Sequence, residues 1–430
     1  MKTFRALRLL ALGVAAILPA LHPGASVAQT PILPTPTCAW PLAWLPFGLG
    51  NWAFPDTGNR WWYMPIDANW QRLTLTASYP KARFFSLAVY DDAPVSSGLA
   101  SRLYDAMIVP DPGSGNPFAA PSQTYTITIA RSGSFTGNVM QLNKQTGWLV
   151  YRMYLPDAGG NEMGGVPLPE VRITDASGNT TLLKTCQYIN RQSEVATVQP
   201  FFVPAALETP PVQPPVPDRI WFAPIKTPPA RLLPNPDNKY MVSFFMPAQE
   251  PDRALVIRGK MPAFPDTYHG SSVWDPAPGF DEVQLRFSSI CMADAVSPLP
   301  VEGCAVDAGT PLDRQGFYTI VVSNDVLRPA WLPEKTVWLP WGDEQMVPKI
   351  VFVRHLLPAP GFKNAVQNTI DEGCGIAFDI SNPASQAVIK DAGQCAQQVM
   401  GDYYPVAVWC DVDTFKAGGW RACFRKANVR

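Results

Sequence analysis

The chain has 430 residues, of which 47% are apolar and only 16% charged, and its formal net charge is −1. This balance gives no electrostatic footprint for nucleic acid or an anionic lipid surface, and it is too apolar for a disordered chain. Its 47 prolines, 14 tryptophans and eight cysteines suit a rigid, loop-rich β protein of an oxidising compartment, long enough to form two cores.

In chain order, the first element reads as a signal peptide. Lys2, Arg5 and Arg8 form a basic start, and Leu9 to Leu21 is an apolar stretch too short to span a bilayer. Ser26-Val27-Ala28 supplies small residues for cleavage after Ala28. No later apolar run of about 20 residues follows, so no transmembrane segment is expected after cleavage. Next comes FPDTGNRWWY, which sets Trp61, Trp62 and Tyr63 side by side. Successive side chains of a strand face opposite ways, so one of these tryptophans is expected to meet solvent, a partner or a ligand, the alternative being packing between the two domains or beneath the Pro-rich arm. LTLTASY, FFSLAVY, TYTITIA and WLVYRMYL are then four predicted strands, rich in β-branched and aromatic residues and bounded by Gly, Pro and Asp. PDAGGNEMGG, residues 156–165, offers Asp157, Asn161 and Glu162 as oxygen ligands but lacks EF-hand spacing, so it reads as a turn loop.

Twelve prolines lie between Val198 and Asn238. Proline lacks a ladder donor and fixes φ, so 198–238 is expected to be an extended connector, neither strand nor helix, partly packed down by Phe202, Ile220, Trp221 and Phe222. Beyond it ALVIRG, EVQLRFSSI, FYTIVVS and KIVFVRHLL repeat the strand theme. Between them HGSS places His269 near Ser271, and Trp338 and Trp341 flank a Leu-Pro turn. A helix is expected over SNPASQAVIKDAGQCAQQVMG, capped by Ser381 or Asn382.

All eight cysteines follow the expected cleavage site, which reads as a disulfide set. Spacing suggests Cys38–Cys186, Cys291–Cys304, Cys374–Cys395 and Cys410–Cys423. No CxxC occurs, and only His269 and His355 could add imidazole ligands to the mature chain, so neither metal nor cofactor is expected. The halves also align. Tyr63–Pro80 matches Phe245–Pro262, Phe85–Ala93 matches Phe287–Ala295, YTIT at Tyr125 matches YTIV at Tyr318, and Arg152 meets Arg354. A tandem duplication is the reading, with Arg152 and Arg354 as structural arginines that satisfy loop carbonyls or a carboxylate. In that register FPDTGNRWW corresponds to NPDNKYMV, so FPDTYHG (264–270) is not its partner.

FSLAVYDD, YTITI and LVYRMYLP together resemble a bacterial family known as a domain of unknown function, a β-sandwich domain whose pattern runs roughly WSLTLYD, then LRLYWP. RPAWLPEKTVWLPWG ahead of VFVRHLLP is similar to that family's LPAP segment. The chain departs from the pattern where Phe85 or Phe287 stands for the first Trp, and in the tail after Cys374. The resemblance implies the sandwich and no activity.

No GxSxG or HExxH is present. The expected architecture is all-β: two tandem antiparallel, jelly-roll-like β-sandwiches with a short C-terminal helix and a disulfide-rich tail. The boundaries are a signal peptide (1–28), a first sandwich (29–197), the connector (198–238) and a second sandwich with its extension (239–430). The expected function is an exported, non-catalytic binding or structural module of the envelope. Its ligand would be a carbohydrate, an envelope component or a protein, met by Trp61, Trp62, His269, Trp338 and Trp341. The alternative is a secreted hydrolase of a polysaccharide or ester.

Overall fold

The β-branched and aromatic runs form four sheets. The computed structural model describes residues 33–114, 123–203, 218–246, 252–342, 347–379 and 384–429, so the expected signal peptide lies outside the described residues. The first sheet has strand order β1 (Leu42–Trp44), β2 (Asn59–Ile66), β8 (Gly147–Pro156), β4 (Ala82–Asp91), β5 (Gly98–Tyr104). The second runs β10 (Thr180–Leu183), β9 (Glu170–Asp175), β3 (Trp70–Ser78), β6 (Thr124–Ala130), β7 (Asn138–Gln141). The third runs β11 (Arg219–Ile220), β21 (Val406–Asp411), β14 (Arg253–Lys260), β17 (Phe317–Ser323), β18 (Val337–Pro340). The fourth runs β16 (Val301–Val306), β15 (Leu285–Asp294), β19 (Lys349–Pro358), β13 (Asn238–Phe245), β12 (Ala223–Thr227), β20 (Ile376–Ala377). Most pairs are antiparallel; β6–β7, β17–β18 and β12–β20 are parallel.

Three apolar cores stack these sheets. Trp62, Leu73, Phe85, Ile127 and Tyr151 lie between the first and second. Met241, Leu255, Ile290, Ile320 and Val353 lie between the third and fourth. Tyr63, Trp148, Val242 and Phe352 come from the opposite faces of the first and fourth sheets and share a core. The layers therefore run second, first, fourth, third. The two inner sheets are covered on both faces, and β4, β8, β15 and β19 are accordingly buried along nearly their whole length.

All four expected disulfides are present. Among the described residues no helix is long and apolar enough to cross a membrane. The Pro-rich stretch is more structured than its proline content suggests. Helix α1 (Gln192–Phe202) carries Pro200 within it, β11 pairs with β21, and β12 pairs with β13. The expected C-terminal helix is α3 (Gln386–Met400), capped by Ser385, whose hydroxyl accepts from Val388 N; α2 (Val366–Asp371) and α4 (Val412–Lys426) add to it. The bases of α4 and β21 are joined through Cys410–Cys423, and α4 lays Phe415 and Phe424 over the outer face of the third sheet.

Sheet register also corrects two of the aligned segments. Ser86 lies opposite Arg152 and Ser289 opposite Arg354, so β4 and β15 correspond one residue away from the Phe85–Phe287 match. Trp61 lies opposite Arg152 and Tyr240 opposite Arg354, which sets Tyr63 against Val242, three residues from Phe245.

Candidate functional site

The aromatic candidates fall mostly inside. Trp62 is 4% exposed and stacks on Tyr151 with 5.8 Å between ring centroids. Trp341 is 2% exposed and meets Trp409 edge-on at 5.9 Å. Trp61, half-buried, points the other way into the shared core, against Trp44 at 5.3 Å and beneath the Arg152 guanidinium at 4.5 Å. Both neighbours are covered because the sheet that carries them is sandwiched on both faces, so alternation sends neither to open solvent. Trp338 is half-buried, and its Nε1 donates to Ser323 Oγ at 3.0 Å. His269 alone is exposed; its Nδ1 lies 2.7 Å from Asp266 Oδ1.

Arg152 and Arg354 reach across between the halves. Arg152 Nη2 donates to Leu233 O at 2.6 Å and to the Tyr90 hydroxyl at 2.9 Å. Arg354 Nη2 donates to Phe54 O at 2.9 Å, and its Nη1 lies 3.3 Å from Asp56 Oδ2. Both acceptor carbonyls belong to non-glycine residues at positive φ, in the loops that lead into β13 and β2. Asp56, from the first FPDT, accepts from Gly58 N at 2.7 Å and Ser289 Oγ at 2.5 Å. It is a buried anchor.

A second reciprocal pair went unnoticed in the sequence. Arg83 pairs with Asp307, and Arg286 Nη1 lies 3.2 Å from Asp105 Oδ2. Burial pushes Asp105 up to about 6 against the opposing pull of Arg286, and it raises Asp307 against Arg83. The signal was present in ARFF and LRFS, each followed by an Asp-Ala turn at similar spacing.

These anchors shape a cleft of about 380 Å³ at the junction. Arg83 Nε donates to Thr267 Oγ1 at 3.1 Å, and Ala158 N donates to Tyr268 O at 2.8 Å, fixing the short turn Thr267–His269 across the junction. Tyr268, 36% exposed, stands on one rim, and Arg60, Asp157 and Glu162 line the other side, with Gly159 and Gly160 between. Arg60 Nη2 is 3.2 Å from Glu162 Oε1, and its guanidinium lies 5.7 Å from the ring of exposed Phe47. Burial raises the Asp157 carboxyl, partly offset by Lys81. Of these residues, Asp157 and Glu162 were visible as loop acids, while Tyr268 and Arg60 had no local signal.

The geometry limits the chemistry. Asn161 Oδ1 accepts from Met163 N at 3.0 Å and Gly165 N at 2.9 Å, so it caps its own loop rather than turning toward a cation with Asp157. Asp56, Cys291 and Cys304 lie together, but the two cysteines form a disulfide and offer no thiolate. Ser288 sits opposite His355 across β15 and β19. His355 Nδ1, however, accepts from Val366 N at 3.2 Å, which puts the ring proton on Nε2, so that nitrogen cannot take a serine proton. The two acids of CDVDTF, Asp411 and Asp413, would share a face only on a continuous strand; Asp411 ends β21 and Asp413 lies in the first turn of α4.

The fold and this site define an all-β protein of two stacked sheet pairs with a polar junction cleft and four disulfides. No family model matches the chain, and no curated protein matches it. The similar solved structures include two of uncharacterised proteins. An uncharacterised protein from Burkholderia cenocepacia aligns with a TM-score of 0.49 at 13% identity, over 75% of this chain and 79% of that one. The VPA0106 protein from Vibrio parahaemolyticus aligns with a TM-score of 0.39 at 11% identity, over 72% of this chain and 86% of that one. Neither likeness extends to activity.

Proposed function

We propose that the protein is an exported, non-catalytic module of the cell envelope that binds carbohydrate in the junction cleft, and that its two sheet pairs arose by tandem duplication. The shared strand order supports the duplication: β1-β2-β8-β4-β5 matches β12-β13-β19-β15-β16 and β9-β3-β6-β7 matches β21-β14-β17-β18, while β10, β11 and β20 are edge strands without a counterpart. Four disulfides favour an oxidising compartment, periplasmic or extracellular. The cleft carries the binding reading. It combines a pre-positioned, half-exposed tyrosine face with Arg60, Asp157 and Glu162, and glycines that let a ligand approach the backbone. A flat sugar face suits the ring, and its hydroxyls suit the mixed donors and acceptors opposite.

The test is fluorescence titration of the mature protein with a panel of soluble hexose and N-acetylhexosamine oligosaccharides. At least one should bind saturably, and Tyr268→Ala should weaken that binding about tenfold or more, the loss expected of one stacking contact. Its melting point should stay close to that of the parent, because the ring stands on the rim of the cleft outside the apolar cores. Equal binding by Tyr268→Ala, or no binding across the panel, would reject the cleft as a sugar site.

A further inference from the structure

The second sandwich departs from the first at matched positions. In the first, Phe85 faces Met153 and Leu87 faces Tyr151 and Leu103 across neighbouring strands. In the second, Ser288 faces His355 and Ile290 faces Val353 and Ala305. Phe, Tyr and Leu thus become Ser, Val and Ala, and a Met becomes His. The truncations open a cavity of about 20 Å³ between the sheets, room for roughly one water-sized atom. Its half-exposed lining residues, Lys260 and Tyr403, mark its opening.

What the cavity presents is hydrogen-bond donors. His355 is 3% exposed, and with Nδ1 accepting from Val366 N its Nε2–H is a donor with no other partner among the described residues. Burial lowers its pKa to about 3, so the ring stays neutral. The Tyr318 hydroxyl, buried on the same wall, lies so close to Gly259 that a Cβ there would sit 2.5 Å from it. Lys260 holds its ammonium 5.5 Å from the Tyr403 ring and has no carboxylate partner among the described residues. The remaining hydroxyls are committed elsewhere: Ser289 Oγ to Asp56 at 2.5 Å, Ser288 Oγ to Met261 Sδ at 3.6 Å, Thr310 Oγ1 to Val306 O at 2.7 Å. A buried histidine and a void where the matched positions pack apolar side chains cost stability, which argues for retention by use.

We infer that this pocket binds a carboxylate, with one oxygen entering toward His355 Nε2 and the Tyr318 hydroxyl and the other held at the mouth by Lys260. Free donors from His355, Tyr318 and Lys260, the last cationic, favour an anionic acceptor, and the small volume admits only the tip of a planar group. The site is separate from the junction cleft and stands whether or not that cleft binds sugar. The carboxylate could be a free small acid or a sugar acid within a polymer.

The experiment is a ring-nitrogen NMR titration of the mature chain. It holds only two histidines, and a His269→Asn variant assigns their signals. Acetate should shift the His355 Nε2 signal saturably and leave His269 unmoved. Acetamide and chloride, the neutral and ionic-strength controls, should not. Glucuronate shifting it as well supports a sugar acid, and acetate alone supports a free small acid. Lys260→Met should weaken acetate binding about tenfold through loss of one charge-assisted contact. Ser288→Phe, which places the residue of the first sandwich in the cavity, should abolish the shift. The proposal is overturned if acetate leaves His355 unmoved, if either control moves it equally, or if Lys260→Met titrates like the parent. The half-exposed Lys260 keeps the test valid should Ser288→Phe fail to fold.

Discussion

The junction rests on a few charged side chains whose energetics are dominated by burial. Arg83 and Asp307 are fully enclosed, with Ser288 N and Ala308 N also donating to the carboxylate. Arg83→Met alone leaves that carboxylate buried without its cation, so it should cost ~3–5 kcal/mol. Arg83→Met with Asp307→Leu removes both desolvation penalties and should cost less than the single change; urea denaturation of the three proteins separates these outcomes. Two of the groups that set the acid dependence act in opposite directions. His355 has a folded pKa near 3, below its ordinary 6.5, so its contribution is full above pH 6.5 and is lost as pH falls toward 3. Asp105 titrates near 6 when folded, above its ordinary 3.8, so its burial penalty is full above pH 6 and is relieved on acidification toward 3.8. His355→Met removes only the first of these. Between pH 6 and 4 its stability should decline less steeply than the parent's, by up to ~1.4 kcal/mol per pH unit. Identical slopes in urea midpoints across that range would contradict the buried neutral histidine.

At the scale of elements, the strands and disulfides were legible because their signals are local. TYTITIA and FYTIVVS carry period-two patterns, and β6 and β17 cover those residues. Cys291 and Cys304 are direct cross-strand neighbours, so short sequence spacing and spatial pairing coincide. Of the two readings of the adjacent tryptophans, packing between the halves is the one Trp61 follows; the alternation argument alone assumes one wet face, and the stacking of whole sheets leaves the first sheet none. The cleft was hidden for a similar reason: Tyr268 and Arg60 lie more than two hundred residues apart and meet through a junction that no local pattern encodes. Helix α4 is an appendage tied on by one short disulfide loop. Replacing Cys410 and Cys423 with Ala should cost ~3 kcal/mol in the chain-entropy estimate, against ~5 for the much longer Cys38–Cys186 loop. Loss of α4 should also unveil Val256, Val321 and Val408, read as increased dye binding.

For the whole molecule, the question is whether the halves are independent domains or one body. Leu33–Arg430 cluster as one compact unit, and the shared core draws Trp44, Tyr63 and Trp148 from one half and Val242, Phe244 and Phe352 from the other. No disulfide joins 33–203 to 218–429, so the halves are held by noncovalent contacts: this core, the reciprocal arginine anchors and cross-junction hydrogen bonds such as Ala53 N to Pro298 O. A protease site engineered between residues 204 and 217 makes this measurable. After cleavage, the two fragments should co-elute in native gel filtration and part in urea without reductant. Expressed alone, residues 29–203 would leave the outward face of the first sheet uncovered, an apolar patch far larger than monomers usually expose. That fragment should self-associate or bind apolar dye, and Arg152 would lose its Leu233 carbonyl. A monomeric, dye-silent first half with a parent-like melting transition would instead mean that each sandwich is self-sufficient and the junction is a docking contact.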